Sequence, residues 1–153
     1  MISVLILALA LFACGGKRSV SAPQNTPLDA LKAYTQAVKK NDTAEMKRLL
    51  SKGSLKMAQS EAEAQKIPVD EVIRRQSLFP KDLKTVEYRN EKTEGDKATI
   101  EVKNSYGTWD AIPFIRENGE WKIDQERSAE ELMKQVEEED RRLDERINQS
   151  RQP

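Results

Sequence analysis

The sequence predicts an α+β domain, with helices first, an antiparallel β-sheet after them, and a charged C-terminal helix. Two patterns carry this. From Pro27 to Phe79 apolar residues recur at helical spacing between capping and stop signals. From Thr85 to Asp124 they recur with period two between turn residues, and that stretch closes on Asn118-Gly119. A type I′ hairpin turn needs positive φ at both positions, and Asn and Gly tolerate it best. The 153 residues divide as 1–13, a signal segment; 14–26, a tether; 27–126, the domain; and 127–153, a charged helix and tail.

Ile2 to Ala13 is almost wholly apolar. About a dozen residues is too short to span a bilayer of roughly 30 Å, but it suits the apolar region of a secretory signal. The sole cysteine follows directly, in Leu11-Phe12-Ala13-Cys14. This resembles the lipobox of bacterial lipoproteins. The resemblance implies cleavage before Cys14, acyl chains on its sulfur, and a mature chain anchored to a membrane of the bacterial envelope. Phe12 is bulkier than the residue usual there, and no Lys or Arg precedes the apolar run. The plain alternative is an ordinary signal peptide with an unrelated thiol. A lone cysteine has no partner for an internal disulfide. Gly15 follows Cys14 where aspartate would favour inner-membrane retention in enterobacteria, so the outer membrane is favoured if the source has two. Lys17 to Thr26 is polar and Pro-containing and reads as a flexible tether.

Thr26 suits an N-cap, Pro27 the first helical position, and Asp29 the first turn. Leu28, Leu31, Tyr34 and Val38 then share a face, and Lys39-Lys40-Asn41 ends the helix. Asp42 to Glu45 opens a short second helix that Gly53 is expected to stop. Ser54 to Lys66 is helix-prone but its apolar content is mostly alanine. Pro68 to Phe79 is expected to be another helix, with Val69, Val72, Ile73 and Phe79 inward and Pro80 ending it.

In the sheet, Val86 and Tyr88 alternate with Thr85, Glu87 and Arg89, and Ala98, Ile100 and Val102 alternate with charged residues and Thr99. Glu94-Gly95-Asp96 and Tyr106-Gly107 supply turns. The strand from Trp109 to Arg116 carries apolar residues on both faces and is expected to be covered on both. Pro113 cannot donate to a ladder, which suggests an edge or a bulge. Both tryptophans, Trp109 and Trp121, are expected in the core. Ser128-Ala129-Glu130-Glu131 reads as a capping box opening a helix over Ser128–Gln149, whose thin apolar stripe is Leu132, Met133, Val136, Leu143 and Ile147.

Composition excludes several chemistries. There is no histidine, so histidine triads, histidine–metal sites and histidine acid–base pairs are impossible. Lys plus Arg and Asp plus Glu number 26 each, and this balance argues against nucleic acid as a partner. There is no Gly-rich phosphate loop and no metal-ligand spacing, so no cofactor and no metal are expected.

Three stretches together resemble small bacterial lipoproteins of the nuclear transport factor two-like superfamily. They are Thr26-Pro27-Leu28-Asp29-Ala30-Leu31-Lys32-Ala33-Tyr34 with Ala37 to Asp42, Gly95 to Val102, and Ile112 to Ile123 with its Asn-Gly-Glu-Trp hairpin. The resemblance spans about Pro27 to Asp124. It implies a curved, cone-like sheet wrapped on the helices, often with a pocket at the open end. Members include isomerases and dehydratases as well as binding and assembly domains, so the fold does not choose among them. Polar candidates for a pocket are Tyr34, Tyr88, Tyr106 and Asp110, and nothing in their spacing singles them out as catalytic.

The expected function is therefore a lipid-anchored envelope protein acting as a non-enzymatic binding or accessory module. One alternative is a small cone-fold enzyme, isomerase or hydrolase-like, using a carboxylate or tyrosine. Another is an assembly protein that meets a protein partner, or itself, through Ser128–Gln149.

Overall fold

The computed structural model describes residues 25–150. The expected signal segment, Cys14 and the tether as far as residue 24 lie outside these residues. Helix α1 (Pro27–Lys40) starts as its sequence dictates: the Thr26 hydroxyl accepts from the Asp29 amide at 3.0 Å, and the Asp29 carboxylate accepts from the Thr26 amide. Asn41 ends it in the left-handed conformation, with φ 55°. Its inward face, Ala30, Leu31, Tyr34, Ala37 and Val38, is buried. Helix α2 (Thr43–Leu49) is capped by Asp42.

Gly53 does not stop α2. The chain leaves α2 at Leu50, and Ser51 caps helix α3 (Lys52–Gln65), which contains Gly53 in its first turn. The reason is tertiary. A Cβ at Gly53 would lie 1.8 Å from the Glu126 carboxylate of the last helix, so this glycine marks a close approach. Helix α3 is a full element despite its alanine-rich face, because Ala58 and Ala62 let it sit close to the core. Helix α4 (Val69–Arg75) is shorter than expected; the chain past Gln76 is irregular up to the sheet.

Four strands follow, β1 (Tyr88–Glu94), β2 (Lys97–Lys103), β3 (Trp109–Glu117) and β4 (Glu120–Ile123), in antiparallel order β1-β2-β3-β4. Asn118 and Gly119 have φ of 52° and 83°, as the hairpin turn requires. Strand β1 begins later than the Val86/Tyr88 alternation suggests and is exposed along its length. An extra residue interrupts its register between Arg89 and Lys92, where Asn90 has φ 51°. This bulge and its run of charges suit an unpaired edge.

Register divides the sheet into two faces. Ala98 opposes Phe114, Ile100 opposes Ile112, and Phe114 opposes Ile123, so these residues meet the helices. Trp121 joins them in the core. Trp109 does not. It lies half-buried on the other face, opposite Lys103, with the Arg89 guanidinium 4.1 Å from its ring centre.

Pro113 sits on an interior strand rather than at an edge. Its nitrogen faces the point where β4 has ended. The Asp124 amide still donates to the Pro113 carbonyl at 2.9 Å, while the Asp124 carbonyl accepts from Ser128 at 3.4 Å. The missing N–H of Pro113 thus leaves the Asp124 carbonyl for the first turn of helix α5 (Gln125–Ser150). Ser128 is therefore inside α5 and does not cap it. The outer edge of β4 is covered by a bridge to Leu50 and by the Ser51 amide donating to the Ile123 carbonyl at 2.8 Å. From Glu130 to Ile147 every residue of α5 is exposed.

Candidate functional site

A roomy recess forms where the irregular chain between α4 and β1 crosses the open end of the sheet. Helix α4 has ended at Arg75, and past Gln76 the residues Leu78, Phe79, Pro80 and Leu83 line a recess with the core ends of β2 and β3. With Val102 and Ile112 they enclose a cleft of about 440 Å³. Its rim is polar, with Glu87, Lys103, Asn104, Asp110 and, from α5, Ser128.

The rim groups engage one another. Lys103 Nζ lies 3.1 Å from Glu87 Oε2. Asn104 donates to Asp110 at 3.0 Å and to Thr108 Oγ1 at 2.6 Å. Its side-chain oxygen accepts from the Tyr106 and Thr108 amides, which holds the β2–β3 turn in shape. The cleft therefore offers apolar walls and a hydrogen-bonding mouth. The carboxylates held below the ordinary range lie outside it: Glu101, chiefly through its hydrogen bond from Arg89, and Glu120, chiefly through that from Lys122. Among the described residues no group of three or more His, Cys, Asp or Glu could hold a metal.

The four polar candidates from the sequence do not converge. Asp110 lines the cleft. Tyr88 borders a separate hollow of about 180 Å³ with Leu31, Thr35 and Val86. Tyr106 projects from its turn, 90% exposed. Tyr34 is in the core, edge-on to Phe79, its hydroxyl hydrogen-bonded by the Leu78 backbone and the Ser77 side chain. It holds the inner wall of the cleft without opening into it.

Burial raises the Tyr34 pKa above its ordinary value, and the two hydrogen bonds offset this in part. Above about pH 10 tyrosine in the unfolded chain ionises while the folded Tyr34 keeps its proton. The folded state then binds more protons than the unfolded one, so stability falls as pH rises through that window. Urea titrations at about pH 9 and about pH 11 are expected to show a smaller loss in Tyr34→Phe than in the wild type, once the hydrogen bonds lost at both pH values are subtracted.

Ser51 and Asp124 superficially resemble a nucleophile beside a carboxylate, with Ser51 Oγ donating to Asp124 Oδ1 at 3.1 Å. Both are buried. Ser51 Oγ accepts from the Ser54 amide at 3.0 Å, and Ser54 Oγ lies 2.8 Å from Ser51 Oγ. Ser54 Oγ also accepts from the Gln125 amide at 2.8 Å. This is a junction of helix caps that ties α3, β4 and α5 together, closed to any substrate.

Sequence reasoning missed the apolar walls of the cleft. Leu78 falls in the stretch expected to be helical up to Phe79, and Leu83 lies beyond Pro80; α4 ends before either, and only the topology brings them to Val102 and Ile112. The available signal was three large apolar residues, Leu78, Phe79 and Leu83, around a proline.

The profile of a family described as proteins of unknown function, DUF2950, matches residues 22–142. The chain belongs to the DUF2950 family. No curated protein matches it. A Campylobacter jejuni crystal structure at 2.00 Å, described provisionally as an NTF2-like transpeptidase, matches with a TM-score of 0.43. The two share 14% identity over 65% of this chain and 97% of that one. A likeness of that degree carries no statement about catalysis. The DUF2950 match begins beyond Cys14 and ends inside α5, so it includes the whole cleft.

Proposed function

We propose that this DUF2950 protein is a lipid-anchored protein of the bacterial envelope whose domain binds a small apolar or amphipathic molecule without transforming it. The cleft carries the binding half. Its volume, about 440 Å³, falls in the range of small-molecule sites, and its walls are apolar beneath a polar mouth. The binding role is favoured over an enzymatic one because Glu87, Lys103 and Asp110 pair within the rim. The sequence Leu11-Phe12-Ala13-Cys14 supports the anchor. Two acyl signals hold a protein on a bilayer where a single chain does so only marginally, so the tether needs no transmembrane helix.

The test uses full-length protein from its own membranes. Titration with the fluorescent apolar probe N-phenyl-1-naphthylamine is expected to saturate at one equivalent. Leu83→Asp, which places a carboxylate in the cleft wall, is expected to weaken it at least about tenfold, or about 1.4 kcal/mol. Unsaturable uptake, or equal binding by the variant, sinks the binding half. Metabolic labelling with palmitate is expected to mark the wild type and not Cys14→Ser, which should leave the membrane fraction; label retained by that variant rules out the anchor.

A further inference from the structure

Beyond Ala129 helix α5 leaves the domain and runs about 27 Å into solvent at 1.5 Å per residue. A helix that stays solvated needs no apolar stripe. This one has Met133, Val136 and Leu143 at spacings that place them on one face, with Leu132 beside them, and all four are exposed. Asp140 sits in the same stripe, between Val136 and Leu143. Glu130, Glu137 and Asp144 flank one border and Glu139 the other, with Arg146 the basic residue there. Over residues 125–150 nine acidic residues stand against five basic ones.

This charge pattern selects the occupant. A second copy would bring acid against acid: parallel helices would stack Asp140 on Asp140, and antiparallel ones would set the Glu137 border against itself. An anionic lipid surface is disfavoured for the same reason, since interfacial helices carry Lys and Arg beside the apolar face. We infer that the protruding part of α5 docks into an apolar, basic-rimmed groove on a different protein, with Met133, Val136 and Leu143 as anchors and a partner cation meeting Asp140. The capping junction at Asp124 holds the helix at a set exit from the domain, which presents this face outward.

Site-specific photo-crosslinking in cells tests this on the full chain. A photoreactive side chain is placed at Val136 and Leu143, and as controls at Glu138 and Glu145 on the opposite face. The expected result is a heterologous adduct from the first pair and not the second. Mass spectrometry should map it to a partner segment carrying Lys or Arg beside apolar residues. Asp140→Lys, a substitution on an exposed position that keeps helix propensity, should lower the yield at least about tenfold. Adducts to a second copy, to lipid or to the chain's own domain overturn the inference. So do a partner segment without basic residues, equal yield from both faces, or no adduct.

Discussion

Replacing Trp121 by alanine is expected to lower unfolding free energy by about 3–5 kcal/mol, while Trp109→Ala costs only about 1 kcal/mol. The two residues are of one type and lie on neighbouring strands, so the contrast isolates burial. Trp121 is 4% exposed and fills the space between the sheet and the helices, and its loss leaves a cavity that close-packed neighbours cannot refill. Trp109 is half-buried on the outer face, where Arg89 covers its ring and water replaces most of what is lost. A domain of this size has roughly 5–15 kcal/mol in total, so Trp121→Ala approaches the threshold for staying folded. Urea denaturation of both variants decides it, and equal losses would show that the register assigned to β3 is wrong.

Asp124→Ala is the next largest effect, an expected loss of about 2–3 kcal/mol, with Asp124→Asn retaining most of it. The carboxylate accepts the Ser51 hydroxyl proton and stands at the entrance to α5, where the helix leaves β4. Alanine removes that acceptor from a buried position, while asparagine keeps an oxygen in place. Hydrogen exchange adds a spatial readout. The amides of Gln125 to Ala129 should lose protection in Asp124→Ala, and those of β2 should lose it only through global unfolding. Unchanged exchange at Gln125 would mean that Ser54, not Asp124, holds the start of the helix.

The local signals were legible to the degree that their physics is local. The Thr26–Asp29 capping box and the Asn118-Gly119 turn stand where the residues placed them, because caps and turns are decided within four residues. Three of the expectations that failed turned on a neighbour that the local pattern does not show. Gly53 reads as a stop signal until Glu126 is known to pass over it. Ser128 reads as a cap until Asp124 hands its carbonyl to α5. Pro113 reads as an edge residue until β4 is seen to end opposite it. The cleft was the least legible feature, since its walls come from the irregular chain between α4 and β1, part of which reads as helix, and from two strands whose patterns indicate burial but not what buries them.

By itself the sequence determined the helices-then-sheet order, the hairpin, the lack of histidine chemistry and a thiol placed after an apolar run. Periodicity, backbone stereochemistry and residue inventory are properties of the chain alone. The tertiary structure alone decided that Trp121 is core and Trp109 is not, that Asp110 is the one of the four polar candidates to line the cleft, and that α5 is exposed from Glu130 to Ile147. Those outcomes turn on which surfaces meet, and burial depends on neighbours far apart in the chain.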